Sequence, residues 1–276
     1  MSIPDKYNHA LTVSYSGTHF SGFQLQGDLR TVQGELEKAL AVILRESVRI
    51  HCCGRTDAGV HATGQVASFQ TVNIITKEHT FLYALNSVLP KDISVISYSA
   101  VPVDFHPRFS CLAREYEYLI WNAETKPVHL NGRVLWYKRP IPIEELNLEL
   151  LEILGERDFA ALTRVEYKDK TTHRYLDKIQ MERIFDPCTN SNNLISIRIR
   201  GNSFLHNMIR ILVGTILYRA SGKLTSTIPE IIQSKDRIQS GYTAPPDGLF
   251  FRDAYYSPME GVTGLKYLND YPRFRK

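Results

Sequence analysis

The sequence contains no run of about 18 or more apolar residues, so it predicts no membrane-spanning helix. Its first six residues also lack the basic and then apolar arrangement of a secretory signal peptide. We therefore expect a cytoplasmic protein that does not associate with a membrane.

Cysteine is also scarce, because the 276 residues include only four, and no two of them form a Cys-x-x-Cys pair. The adjacent Cys52 and Cys53 are poorly spaced for a zinc site. We therefore expect all four cysteines to be free thiols and no metal to be bound. The chain also lacks the Gly-x-Gly-x-x-Gly and Gly-x-x-x-x-Gly-Lys patterns, so it predicts neither a dinucleotide site nor a phosphate-binding loop.

The composition, with 43% hydrophobic and 22% charged residues, is that of a globular protein with a substantial core. The formal net charge is +4. This charge is compatible with a nucleic-acid partner but does not require one, because the lysines and arginines are spread along the chain and form no basic tail.

The spacing of apolar residues predicts the element order β-α-β-β-α-β, and it predicts this order twice. In the first half the predicted elements are Ala10–Tyr15, Val32–Ile43, Val48–Cys52, Gln65–Phe69, Thr80–Ser87 and Ile93–Tyr98. In the second half they are Tyr116–Trp121, Ile143–Leu154, Arg174–Ile184, Ile195–Ile199, Asn202–Ala220 and Leu249–Tyr255, with an extra short helix at Ile228–Ser234.

This pattern predicts an α+β fold of two ferredoxin-like, RRM-like halves with mainly antiparallel sheets, residues 1–104 and residues 105–276. Open sheets of this kind bind RNA in four-stranded RNA-binding modules, so we expect a central RNA-binding cleft. The fold by itself does not establish a function, and the site must be argued from its residues.

The segment Gly54–Gln65 lies between two predicted strands and contains three glycines, which let a backbone turn tightly and approach another molecule. Its one carboxylate, Asp57, lies two residues after Arg55. From composition alone, the simpler interpretation is a turn in which Asp57 bonds its own backbone and Arg55 is solvated.

Arg210 lies in an unusually apolar setting for an arginine, between Met208-Ile209 and Ile211-Leu212-Val213. We expect a narrow polar strip on one face of this helix, formed by Ser203, His206, Asn207, Arg210 and Gly214. Such a strip indicates either a cleft-lining cation that needs an anionic partner or an arginine that reaches out to solvent at the helix edge.

The loop Gly54-Arg55-Thr56-Asp57-Ala58-Gly59-Val60-His61-Ala62-Thr63-Gly64-Gln65 resembles the signature of the TruA family of tRNA pseudouridine synthases. Further segments resemble the family in the same order, at residues 15–18, 22–26, 31–37, 85–90, 105–110, 114–118, 203–210 and 244–249. One position departs from the family, which usually has aspartate where this chain has Ser16.

The resemblance implies isomerisation of uridine to pseudouridine at positions 38, 39 and 40 of the tRNA anticodon stem-loop. It implies that Asp57 is the catalytic nucleophile, that Arg210 pairs with it, and that Tyr116 stacks on the target uracil. It also implies a homodimer that binds tRNA. Further side chains are expected to contact the RNA: Arg55, filling the space of the flipped base, and Arg108, His61 and Gln65.

The reaction breaks the bond between C1′ and N1 and joins C1′ to C5 without redox change, so we expect no cofactor. Two other functions remain open: a non-catalytic RNA-binding protein of the same fold, and a metabolic enzyme with an unrelated small substrate. The presence of both Asp57 and Arg210 favours the enzyme acting on RNA. The sequence leaves open whether Asp57 attacks C1′ or the base, or whether a glycal forms.

Overall fold

The computed structural model describes residues 6–163 and 171–272. The strands of the described chain are β1 Tyr7–Tyr15, β2 His51–Cys52, β3 His61–Thr71, β4 Ile93–Val101, β5 Cys111–Trp121, β6 Leu135–Trp136, β7 Gly155–Asp158, β8 His173–Asp186, β9 Ser191–Gly201, β10 Leu249–Tyr256 and β11 Lys266–Tyr267. Its α-helices are α1 Val32–Leu44, α2 Glu78–Val88, α3 Ile143–Leu151, α4 Met208–Ala220 and α5 Ile228–Ser234.

The chain divides into two units, each with its own core. Unit 1 consists of residues Met1–Arg114 and Phe250–Lys276, and unit 2 consists of Glu115–Leu249. This grouping differs from the predicted halves 1–104 and 105–276. The reason is that β10, near the end of the chain, hydrogen-bonds to β3 and is thereby built into unit 1.

In unit 1, β1 lies between β4 and β3 and pairs antiparallel with both, and β2 pairs antiparallel with β3. The resulting order β4-β1-β3-β2 is that of a ferredoxin-like sheet. β10 runs parallel to the first residues of β3, with Phe250 opposite His61, and β11 pairs with β10. The ferredoxin-like prediction for the first half is therefore confirmed.

Helix α1 begins where the sequence predicts it. The Thr31 hydroxyl accepts a hydrogen bond from the Gly34 N–H at 3.2 Å, which satisfies one of the free N–H groups at the helix start. Val32, Leu36 and Leu40 are fully buried, as the apolar periodicity predicts.

In unit 2, the strand order is β5-β9-β8-β7, and the long hairpin β8–β9 is antiparallel from Leu176 and Gly201 to the turn after Asp186. Nine of the thirteen residues of α4 are buried, so this helix is surrounded by the core of unit 2. The predicted α+β class with mainly antiparallel pairing is confirmed. Within the described residues, no helix is long and apolar enough to cross a membrane.

Several predicted elements are wrong in extent, and β3, β5 and β9 each begin four or five residues earlier than predicted. The helix predicted from Asn202 begins only at Met208, because the Asn202 side-chain oxygen accepts from the Tyr175 and Ser203 N–H groups and holds residues 202–207 as a loop. Ser203 and His206 therefore do not share a helical face with Arg210. The strand predicted from Val48 to Cys52 is reduced to the two residues of β2.

A buried histidine makes the stability of unit 1 sensitive to pH. His9 of β1 is 2% exposed, and its ring nitrogens lie 2.8 Å from the Tyr98 hydroxyl and 2.7 Å from the Thr71 hydroxyl. Burial lowers the pKa of His9 to about 4, so the folded protein keeps this ring neutral where the unfolded chain is protonated.

We predict that this histidine removes about 3 kcal/mol from the free energy of unfolding as the pH falls from about 6.5 to about 4. The stability is present above the unfolded pKa and is lost on acidification, because only the unfolded chain binds the proton. Urea unfolding at several pH values should show a shallower pH dependence for His9→Gln. The exposed His19→Gln should keep the wild-type dependence, and equal slopes for all three proteins would contradict the prediction.

Candidate active site

The base of the loop that carries Asp57 is closed by Gln65, which is completely buried in β3. Its side-chain amide donates to the Gly54 carbonyl oxygen at 2.7 Å, and its side-chain oxygen lies 3.4 Å from the Gly54 N–H. The Cys53 N–H donates to the Val66 carbonyl oxygen at 2.8 Å. The two strands around the loop are thus tied together at its first residue.

The residue before the candidate nucleophile is held from three sides. The hydroxyl groups of Thr56 and Tyr15 lie 2.8 Å apart, and burial raises the pKa of Tyr15, which keeps its hydroxyl protonated. The Thr56 carbonyl oxygen accepts from the Phe23 N–H at 3.1 Å, and Gly22 packs against it with a φ of +90°. Only glycine adopts that backbone angle without strain, and a Cβ there would press on the Thr56 carbonyl oxygen.

Asp57 itself is half-buried and opens a tight turn in which its carbonyl oxygen accepts from the Val60 N–H at 3.2 Å. Arg55, two residues earlier, is exposed. Thus the carboxylate sits on a loop with fixed ends, next to an arginine that is accessible from solvent.

His61, the first residue of β3, packs between Gly17 and Phe250. It is 1% exposed, its Nδ1 accepts from the Gly17 N–H at 3.0 Å, and its ring stacks on Phe250 with 4.7 Å between centroids. Like Gln65, it therefore has a positioning role inside the protein. Contact of His61 and Gln65 with RNA remains a prediction.

Arg114 links the loop to a second segment of unit 1, although the sequence pattern predicts no role for it. Its guanidinium is buried and donates to the Cys53 carbonyl oxygen at 3.2 and 3.4 Å and to the Arg108 carbonyl oxygen at 2.8 Å. Burial opposes ionisation of the Cys53 thiol, but its hydrogen bond with Cys111 and the nearby Arg114 cation lower its pKa below the usual value. The buried Arg114 cation therefore lies next to Cys53, the residue that precedes the loop.

The segment held by Arg114 presents an exposed aromatic ring between basic side chains. Phe109 is 64% exposed, the His106 ring lies 4.4 Å from it, and the exposed Arg108 guanidinium lies 5.9 Å from its centroid. Such a combination suits both the phosphates and the bases of RNA.

In unit 2, the predicted stacking residue is held by a second ring. Tyr116 of β5 is 8% exposed, and its ring meets Phe204 edge-to-face at 5.1 Å and 79°. Phe204 belongs to the 202–207 loop that the sequence predicts as helix, so this contact was not foreseen. An edge contact of this kind restrains the orientation of the ring.

Arg210 is oriented by its own unit as well. Its Nε donates to the Ala244 carbonyl oxygen at 2.7 Å, and its Nη1 donates to the Asn207 side-chain oxygen at 3.0 Å. The Ala244 N–H donates back to the Arg210 carbonyl oxygen at 3.0 Å. The guanidinium is half-buried, and these contacts fix its orientation.

The seven predicted site residues are divided between the units. Unit 1 contains Arg55, Asp57, His61, Gln65 and Arg108, and unit 2 contains Tyr116 and Arg210. The predicted pairing of Asp57 with Arg210 and the predicted RNA-binding cleft remain predictions.

The fold and the loop define a class first: an α+β protein with a carboxylate on a loop whose ends are fixed, and with basic and aromatic side chains suited to RNA. A sequence profile described as tRNA pseudouridine synthase matches residues 11–110 and 151–257. The chain therefore belongs to the tRNA pseudouridine synthase family, whose members isomerise uridine in tRNA.

Individual relatives agree with this assignment. A tRNA pseudouridine synthase A from Leptospira biflexa is 42% identical over 90% of this chain and 94% of its own length. Proteins of the same name from Brachyspira hyodysenteriae and Coxiella burnetii are 38% and 36% identical over 90% of this chain and 98% and 93% of theirs. Among solved structures, a Cbf5–Nop10–Gar1 complex matches with a TM-score of 0.32 and 12% identity over 76% of this chain and 54% of that one, which is too weak to establish a shared fold.

We predict that Gly17→Ala disables the loop. A Cβ at Gly17 would overlap the Val60 carbonyl oxygen, so the segment must move away from the loop that carries Asp57. We expect a fall in tRNA pseudouridine formation of roughly tenfold or more, because misplacement by about 1 Å costs that much in catalysis. Ser16→Ala is the control, since the Ser16 hydroxyl has only a long contact of 3.5 Å with Thr18. Equal activity of the two variants would refute the prediction.

We predict that Arg114→Lys lowers kcat more than it raises KM for tRNA. An ammonium group does not reproduce the two-sided contact with Cys53 and Arg108, and each buried carbonyl left unpaired costs about 1–3 kcal/mol of stability. Steady-state kinetics and urea unfolding measure the two effects. Arg49→Lys, at an arginine whose side chain is 64% exposed, should resemble wild type. A purely structural Arg114 would change stability without changing kcat of the folded enzyme.

Proposed function

We propose that this protein converts uridine to pseudouridine at positions 38, 39 and 40 in the anticodon stem-loop of tRNA, with Asp57 as the nucleophile. The observation that carries the proposal is the fixed loop, in which one half-buried carboxylate follows a residue held by Tyr15, Phe23 and Gly22. A nucleophile must be ionised and aimed before the substrate arrives, and a loop with fixed ends supports the second requirement.

The chemistry needs three things from the protein. A carboxylate must bond covalently to the sugar or the base, or stabilise a cationic sugar, while the bond between C1′ and N1 breaks. The freed uracil must then be kept in place while it turns, so that C1′ can join C5. Finally, the proton on C5 must leave to a base, which can be Asp57, Tyr116 or water.

We assign to Arg210 the role of keeping the Asp57 carboxylate ionised and oriented. Its contacts with Ala244 and Asn207 use Nε and Nη1, so the orientation of the planar guanidinium is set. A fixed guanidinium beside a carboxylate favours the ionised form and restrains its direction.

Tyr116 is assigned to the target base. Its edge contact with Phe204 restrains the ring, and stacking on a base is worth about 1–3 kcal/mol. That interaction would hold the uracil between bond breaking and bond formation.

Arg55 is assigned to the RNA stack. It is exposed beside the carboxylate loop, and filling the gap left by a flipped base offsets part of the few kcal/mol that flipping costs. The exposed Arg108 and Phe109 are assigned to neighbouring phosphates and bases.

We also propose that the protein acts as a cytoplasmic homodimer on which one tRNA contacts both subunits. The resemblance to the family supports the homodimer. The net charge of +4 suits a polyanionic partner such as tRNA.

We predict that Asp57→Asn abolishes release of tritium from tRNA labelled at uridine C5, because the amide neither ionises nor attacks. tRNA binding should persist, since the exchange of one carboxylate for an amide leaves the basic side chains intact. Asp104→Asn, at an exposed aspartate of the same unit, is the matched control. Tritium release by Asp57→Asn at the wild-type rate would refute the assignment, and binding without release by the wild-type protein would favour a non-catalytic RNA-binding protein.

We predict that Arg210→Ala reduces tritium release by about tenfold or more, while Arg219→Ala of the same helix has a small effect. Arg219 of α4 forms an ion pair with Glu149 of α3 at 3.0 Å, so it controls for loss of a cation from α4. If both variants turned over normally while Asp57→Asn was inactive, the assigned role of Arg210 would be wrong and that of Asp57 would stand.

A further inference from the structure

Three side chains with metal-binding atoms meet at one end of the β8–β9 hairpin in unit 2. His129 belongs to a short 3-10 helix, Val128–Leu130, Asp186 is the last residue of β8, and Cys188 lies in the turn that follows. One imidazole nitrogen, one carboxylate oxygen and the thiol sulfur all lie within 4.8 Å of one another. Because His129 is 57 residues from Asp186, only folding brings this set together.

Two of the three ligands are already oriented. The His129 Nε2 lies 2.9 Å from the Asp186 Oδ2, and the His129 ring meets Trp121 edge-to-face at 5.7 Å. Asp186 is 5% exposed, and the Thr189 hydroxyl donates to its Oδ2 at 2.6 Å. Preorganised ligands lose little entropy when they bind an ion.

The donor set selects the kind of metal. Imidazole, thiolate and carboxylate together suit zinc, whereas magnesium and calcium prefer oxygen ligands alone. Bonds of about 2.0–2.3 Å in a tetrahedron place ligand atoms roughly 3.3–3.8 Å apart. The present 2.9 Å between His129 and Asp186 must therefore widen slightly, and the sulfur of the exposed Cys188 must move closer.

The geometry points to a zinc site formed by His129, Asp186 and Cys188, with water at the fourth position because two of the ligands are exposed. On binding, Cys188 releases its thiol proton, and neutral His129 places its remaining proton on Nδ1. The ion links the Val128–Leu130 helix to the end of the hairpin.

The site uses none of the proposed catalytic residues, and its Asp186 and Cys188 lie within the second range that matches the family. His129 lies between the two matched ranges, 11–110 and 151–257. The ion would stabilise unit 2 next to a small cluster of apolar residues formed by Trp121, Val134 and Leu194. The site therefore concerns the stability of this chain, and pseudouridine formation can fail or succeed independently of it.

Zinc binding can be measured on the full-length protein after reduction and treatment with a chelator. Competition with a chromophoric zinc chelator should show one equivalent bound, and Co²⁺ should give a thiolate-to-cobalt absorption band in the near ultraviolet. Co²⁺ should also quench tryptophan fluorescence, since Trp121 lies against His129. Saturating zinc should raise the unfolding temperature, because an ion that binds only the folded state stabilises it.

Cys188→Ser and His129→Gln should each weaken zinc binding by roughly tenfold or more, and Cys188→Ser should remove the charge-transfer band. Cys188 is exposed, so its variant should fold even if the His129 variant does not. Cys52→Ser and His19→Gln are matched controls and should bind zinc as wild type does. No bound equivalent, or binding that survives Cys188→Ser with the band intact, would overturn the proposal and leave the His129–Asp186 contact as an ordinary hydrogen bond.

Discussion

A loop with three glycines has little rigidity of its own, so the candidate site depends on the hydrogen bonds that hold this loop. Gln65 closes its base around Gly54, and Tyr15 meets Thr56 just before the carboxylate. These partners are buried in β1 and β3, which hydrogen-bond to each other. The backbone on both sides of Asp57 is thus held by strands of the sheet beneath it.

Buried polar side chains in both units are likewise held in place by hydrogen-bond partners. The Arg114 guanidinium is buried against two backbone carbonyl oxygens, and Glu117 of β5 accepts from Ser196 at 2.6 Å and pairs with Arg198 at 3.0 Å. Buried charges persist only where such partners exist, and each satisfied partner restricts the geometry of its neighbours. The entropy cost of orienting these side chains is therefore incurred during folding, and it does not reduce the affinity for the substrate.

Local patterns predicted those elements that local interactions determine. Thr31 caps α1 as expected, and α5 has the predicted bounds, because capping and apolar spacing act within a few residues. The start of α4 was predicted too early because the Asn202 side chain bonds to Tyr175, 27 residues away. The grouping of β10 with unit 1 likewise follows from pairing with β3, which is distant in sequence.

The sequence by itself determined the α+β class, the loop that carries Asp57 and the family, because these are encoded by residue spacing and by a long, ordered set of motifs. Only the tertiary structure decided which residues hold that loop. Arg114 reaches Cys53 across 61 positions, and His61 and Gln65 are buried supports of the loop. Periodicity records which face of an element is buried, whereas the partner of a polar side chain is chosen when distant segments pack together.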